Sequence, residues 1–205
     1  MKKLTILFAG LFLCATASFG QAIDDRAVIP VAINLNSILR LNVTSGGNIE
    51  FNFNTLTDYT AGIENSAGYT TRFTVASSVN WEVLIFAEDP FMTGTDLATG
   101  APTLPVGYIG YRVQRPEGVP IGNLTAPAAT QVIALNNTEA TLVGYDGTNS
   151  NAGDVLQNSF EILWECATEA VRTAGGQNLP TMLASEAAAD RYSTNVFLTL
   201  QPANN

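Results

Sequence analysis

The chain has 205 residues, of which 46% are hydrophobic and 13% charged, with no histidine and a formal net charge of −9. That balance excludes a disordered chain, and the acidity argues against nucleic acid and anionic membrane surfaces as partners. Without an imidazole there is no Ser-His-Asp triad, no Cys-His pair and no histidine metal site.

Met1-Lys2-Lys3, the apolar run Leu4 to Ala17 and the small residues around Ser18 and Gly20 read as a secretory signal cut before Gln21. The run is too short for a membrane span and has no stop-transfer flank. Cys14 follows Phe12 and Leu13, whereas a lipobox needs small residues there, so lipid anchoring is disfavoured. Both lysines, Lys2 and Lys3, leave with the signal. The mature chain then holds 7 arginines against 18 acids, a net charge of −11. Cys166 is its only cysteine, so no internal disulfide forms, and a buried thiol suits an oxidising compartment.

From Ala27 to Val43 apolar side chains recur on odd positions: Ile29, Val31, Ile33, Leu35, then Leu39, Leu41 and Val43. This is the period of a strand, and the stretch is longer than one ordinary strand, so it bends or changes environment at Asn36-Ser37. The expected organisation is a signal over 1–20, an extended N-terminal strand segment over 21–36 and a β-sandwich domain over 37–205. After Gly46-Gly47 the parity resumes at Ile49, Phe51 and Phe53.

Asn54 to Tyr69 reads as a long connection without a helical stripe. Strands are expected at Thr70–Ser77, at Val79–Phe86 with Trp81, Val83 and Ile85 on one face, and at Val106–Val113 with Ile109, Tyr111 and Val113 together. Phe91 to Thr103 reads as a loop, and Pro116, Gly118 and Pro120 close the strand that follows it. Weaker strands flank Asn136-Asn137, at Thr130–Leu135 and Ala140–Tyr145. Asp154 to Thr173 fits two periods: a helix capped by Asp154 and Gln157, or a strand carrying Phe160, Ile162, Trp164 and Cys166. The strand, over Ser159–Ala167, matches the period of the rest of the chain. A short helix is expected within Leu179–Ala189, and a closing strand runs through Arg191–Leu200.

Many short strands with turns between them and almost no helix predict an all-β, antiparallel sandwich. The closing stretch YSTNVFLTLQPA resembles the last strand of bacterial pilin-like, fimbrial or surface-fibre subunits, and the Trp81 strand and Leu104-Pro105-Val106 are similar to such domains. The resemblance implies an incomplete immunoglobulin-like fold, completed by an extended strand from a neighbouring subunit. The lone Cys166 departs from subfamilies that carry a disulfide.

Candidate chemistry is sparse. Glu88-Asp89 before Pro90 could serve as one half of a glycosidase carboxylate pair, but such pairs are commonly solvated turns. Asp146 to Asp154 is the best cation loop, rich in oxygen ligands, yet it lacks the alternating acids and closing glutamate of a calcium loop. Trp81 and Trp164 share parity with aliphatic residues and are expected in the core. Tyr108, on the opposite face from Tyr111, is the better candidate for an exposed sugar-stacking aromatic. Asn42, Asn123 and Asn136 match the glycosylation sequon. No cofactor, metal or catalytic residue is assigned. The expected function is a secreted structural subunit of a surface filament, not an enzyme, with Ile29, Val31, Ile33 and Leu35 as the subunit interface. Self-association into a polymer is the expected partnership, with an assembly chaperone or a surface glycan as further partners. A monomeric carbohydrate- or protein-binding adhesin module is the alternative.

Overall fold

The computed structural model describes residues 29–96, 100, 102–116 and 124–203. The expected signal, the start of the N-terminal segment, Gly118, Pro120 and the Asn123 sequon lie outside the described residues. The chain divides into two units, Met1–Leu35 and Asn36–Asn205. In the first, residues 29–35 belong to no strand or helix. Ile29, Val31, Ile33 and Leu35 are 82%, 83%, 80% and 90% exposed. Their sequence alternates as a strand does, but they have no ladder partner.

The second unit is an antiparallel β-sandwich. Its strands are β1 (Leu39–Ser45), β2 (Thr70–Ser77), β3 (Trp81–Ala87), β4 (Phe91–Gly94), β5 (Thr103–Pro105), β6 (Ile109–Gln114), β7 (Leu124–Thr125), β8 (Ile133–Ala134), β9 (Ala140–Tyr145), β10 (Ser159–Cys166), β11 (Tyr192–Ser193) and β12 (Val196–Pro202). One sheet runs β1-β2-β10-β6-β8, a second β12-β3-β9-β7, and a small third β11-β4-β5. Among the described residues every ladder is antiparallel.

Alternation explains the core. Phe73 and Val75 of β2, Trp81, Val83 and Ile85 of β3, and Phe160 and Ile162 of β10 are at most 1% exposed. Phe160 joins the two large sheets, lying 5.3 Å from the Phe73 ring and 5.9 Å, edge to face, from Trp81. Burying each such side chain stabilises the fold by roughly 1.5–3 kcal/mol. Trp164 donates its indole N–H to Thr71 Oγ1 at 2.8 Å, so its polar edge is satisfied within the core. Met92 of β4 and Leu104 of β5 extend the same core beneath the small sheet.

Several expectations change. Ile49, Phe51 and Phe53 form no strand, although all three pack against the core. Asn54–Tyr69 holds a helix, Leu56–Ala61, started by a capping box: Thr55 Oγ1 accepts from Asp58 N at 3.2 Å and Asp58 Oδ2 accepts from Thr55 N at 2.8 Å. Gly62 ends that helix at φ 82°, where a Cβ would lie 2.3 Å from the Ala167 carbonyl carbon. Ile63 then pairs with Cys166, extending the edge of β10 beyond the end of β2. Phe91–Thr103 carries β4 and the start of β5 instead of a plain loop. Val106–Tyr108 is a tight 3-10 turn, so the strand begins only at Ile109.

Ser159–Cys166 is the strand that its parity predicted. Asp154 does cap, but it caps a turn, accepting from Leu156 N at 3.0 Å. The helix in this region comes later, at Glu169–Thr173, and is capped by Thr168. Leu179–Ala189 forms turns and no helix. The closing stretch is two strands, because Tyr192 pairs with Gly94 in the small sheet whereas Val196 onward pairs with β3.

Candidate functional site

Two features of the sandwich stand out, one apolar and one polar. The first is a seam where the sandwich is not sealed. β1 closes one edge of the five-stranded sheet and β12 one edge of the four-stranded sheet. The two strands lie side by side, yet each forms a ladder on one flank only. Leu39 and Leu41 of β1, and Val196, Leu198 and Leu200 of β12, point to the core but stay half-buried. Their ladder neighbours are sealed: Val75 opposite Leu41 is 0% exposed, Ile85 opposite Leu198 1%, and Val83 opposite Leu200 0%. An edge residue has a neighbour on one side alone, so burial stops there. The unpaired N–H and C=O groups of such an edge are a template for another strand.

The second feature covers the outer face of β10. Glu161 and Glu165 point away from the core, but their side chains are only 7% and 5% exposed. Glu161 is satisfied on both oxygens, by Arg72 Nε at 2.8 Å and Gln114 Nε2 at 3.1 Å. Glu165 is satisfied on one: Oε2 accepts from Thr168 Oγ1 at 2.6 Å. Its Oε1 lies 3.4 Å from Arg112 Nη2 and accepts no hydrogen bond. Arg112 Nη2 instead donates to Asn65 Oδ1 at 3.2 Å, and Arg112 Nε has no acceptor. Arg112 and Glu165 line a cleft of about 870 Å³. The helix Glu169–Thr173 walls it, seated on β6 because Gly110 leaves space for Val171.

The residues singled out from sequence are scattered. Ile29, Val31, Ile33 and Leu35 are exposed in the N-terminal unit. Glu88 is an exposed turn residue accepting from Asn195 Nδ2 at 2.6 Å. Asp146 turns its carboxylate onto its own loop, taking bonds from Asn149 N and Thr148 N at 2.8 Å each and from Asn149 Nδ2 at 3.0 Å. The bonds from Asn149 and Thr148 hold the Asp146 carboxyl below its usual range. Cys166 is buried, and burial pushes its thiol up to about 12.

Trp81 and Trp164 are core residues, as expected. Tyr108 is not the exposed aromatic: it is 1% exposed and donates its hydroxyl to Pro180 O at 3.1 Å. The turn before β6 breaks the parity that would have placed it outside. Partly exposed aromatic pairs lie elsewhere: Phe86 with Phe197, 5.3 Å apart on the outer face of β3 and β12, Phe51 with Tyr69 at 4.5 Å and Phe53 with Tyr59 at 5.5 Å. The alternation in β12 already put Phe197 opposite in parity to Val196 and Leu198. The pair of half-buried Arg112 with buried Glu165 left no comparable signal, since nothing in the sequence marks the outer face of β10 as covered.

Comparison of the chain with models of protein families and with curated proteins finds no match. Among the described residues no helix is long and apolar enough to cross a membrane, and no cluster of His, Cys, Asp and Glu has the geometry to hold a metal ion.

Proposed function

We propose that this protein is a secreted, non-catalytic structural subunit of a bacterial surface filament, assembled by strand addition between copies, as its resemblance to pilin-like subunits implies. The observation that carries this reading is that one chain holds both an exposed apolar segment, Ile29 to Leu35, and, in its other unit, an unsealed seam between β1 and β12. The segment alternates at the period a sheet edge accepts, and strand addition is an established mode of recognition. Burying four side chains gains roughly 1.5–3 kcal/mol each. Ordering seven residues costs about 1–2 kcal/mol each, so the two terms nearly cancel. The balance is tipped by the half-exposed leucines of the seam, which are buried at the same time, and by ladder hydrogen bonds worth about 0.5–1.5 kcal/mol each.

Donor segment and acceptor seam are different surfaces, so the contact repeats head to tail, and it grows an open filament wherever the rotation between copies does not close a ring. Pro30 is compatible with a strand added at an edge. The competing reading, a monomeric adhesin module, loses Tyr108 as its exposed aromatic. Deleting residues 27–35, or placing Asp at both Val31 and Ile33, is expected to leave secretion intact and abolish polymers seen by electron microscopy. Variants that still polymerise, or that cannot fold while the parent chain is a stable monomer, contradict the proposal.

A further inference from the structure

We infer that the cleft on the outer face of β10 is a binding site for a neutral polyhydroxylated ligand, a saccharide unit, one of whose hydroxyls closes the open Arg112–Glu165 pair. A buried ion pair is retained at a cost unless its remaining donors and acceptors are satisfied. Here Arg112 Nε and Glu165 Oε1 are both without a hydrogen bond, and Nη2 stands 3.4 Å from Oε1. That exceeds the roughly 2.7–2.9 Å of a charge-assisted hydrogen bond. A guanidinium only donates and a carboxylate only accepts, so the group that satisfies both must do both. A hydroxyl does. An ammonium group cannot accept from Nε, and a ligand carboxylate cannot donate to Oε1. The lining carries Glu64, Glu165 and Glu169 against Arg112 and Arg172, a small excess of negative charge that disfavours anions.

Arg112 Nε and Glu165 Oε1 are both covered in this structure, closed to water as well as to ligand until the Arg112 side chain moves, and the cleft beside them is far larger than a water site. Its volume of about 870 Å³ falls within the roughly 300–1,000 Å³ of small-molecule sites. Thr60, Thr130 and Thr173 put further hydroxyls on its walls, which suits a ligand bearing several hydroxyls of its own. Arg112 keeps 26% of its side chain exposed, so its guanidinium can turn outward and admit a hydroxyl to Oε1. The site lies on the outer face of the five-stranded sheet and uses no residue of the β1/β12 seam, so it stands or falls apart from the filament reading.

The test is an NMR titration of the labelled protein with methyl glucoside, methyl galactoside, methyl mannoside and maltotriose, with putrescine and acetate as charged controls. Saturable shifts are expected at the Arg112 Nε–H and at the amides of Glu165 and Thr168, with at least one saccharide. Glu165→Gln and Arg112→Lys should each weaken that binding about tenfold or more. Arg112→Lys keeps the charge while removing the Nε donor, so it separates the hydrogen bond from simple ion pairing. The inference is overturned if no saccharide shifts these signals up to about 50 mM, well above a millimolar Kd. It is equally overturned if only putrescine does, or if Arg112→Lys binds as tightly as the parent. Should Glu165→Gln fail to fold, the parent titration and Arg112→Lys still decide.

Discussion

Asn151 pairs with Trp81 as if it were a neighbouring strand. Its Oδ1 accepts from Trp81 N at 3.0 Å, its Nδ2 donates to Trp81 O at 2.8 Å, and Trp81 Nε1 donates to Asn151 O at 2.7 Å. Asn158 Nδ2 adds a bond to the same Asn151 carbonyl at 3.1 Å. The end of the Asp146–Asp154 loop is therefore stitched to the first residue of β3. Its oxygens serve the fold, which is a structural role for a stretch that sequence alone offered as a cation loop.

Asn151→Ala strands two buried backbone groups of Trp81, each costing about 1–3 kcal/mol when left unsatisfied. The expected loss is on the order of 3 kcal/mol, or roughly 6–12 °C in Tm for a domain of this size. Urea and thermal melts check it. A loss under about 1 kcal/mol would show that the Trp81–Asn151 bonds are replaced by water.

Two glycines separate backbone conformation from contact. Gly62 and Gly147 both have positive φ, 82° and 84°, but a Cβ on Gly62 meets the Ala167 backbone at 2.3 Å and one on Gly147 meets nothing. Gly147→Ala should cost only the left-handed penalty, about 1–2 kcal/mol. Gly62→Ala should exceed about 3 kcal/mol, because the Ile63–Cys166 bridge must open as well. Equal costs measured by denaturant titration would contradict the tight approach at Gly62.

Alkaline pH should expose the buried thiol. Cys166 is pushed from 9.0 up to about 12 by burial, and Tyr111 from 10.0 up to about 12 for the same reason. Between the unfolded and folded values the unfolded chain has already lost its proton while the folded chain keeps it. Stability is therefore intact below pH about 9 and falls as pH rises towards 12, by about 4 kcal/mol from the thiol alone. Cys166→Ala should move the onset up by about one pH unit, to where Tyr111 begins to titrate. At pH 8 the native thiol should react slowly with a thiol reagent and the urea-unfolded one fast. Rapid native labelling would place Cys166 outside the core.

The central strands were legible because their signal is local. In β3 and β10 large apolar side chains recur at alternate positions, Trp81, Val83 and Ile85 in one and Phe160, Ile162 and Trp164 in the other, and Phe73 and Val75 give β2 the same period. The small sheet was not legible, since β4 and β5 have four and three residues, and only their pairing and the burial of Met92 and Leu104 make them strands. Tyr108 was misplaced by parity counted through a turn that had shifted the register. The helix after Thr55 was readable in principle: Thr55 and Asp58 form a capping box that a search for helical stripes passes over. The cleft was not readable, because Glu165 looks like a solvent-facing residue until the 60–65 segment and the Glu169–Thr173 helix frame that end of β10.

Hydrogen exchange on assembled against dissociated protein, purified from expression of the full chain, is the most direct test of strand addition at the β1/β12 seam. In the dissociated protein the amides of residues 29–35, and those of β1 and β12 that face away from β2 and β3, should exchange freely. Amides of β2 and β10 should be slow in both forms. On assembly the account predicts new protection in two places only, residues 29–35 and the free edge of the seam, with β2, β3 and β10 unchanged. Assemblies in which residues 29–35 stay as exchangeable as in the monomer, or a protein that forms no assemblies at all, would contradict it.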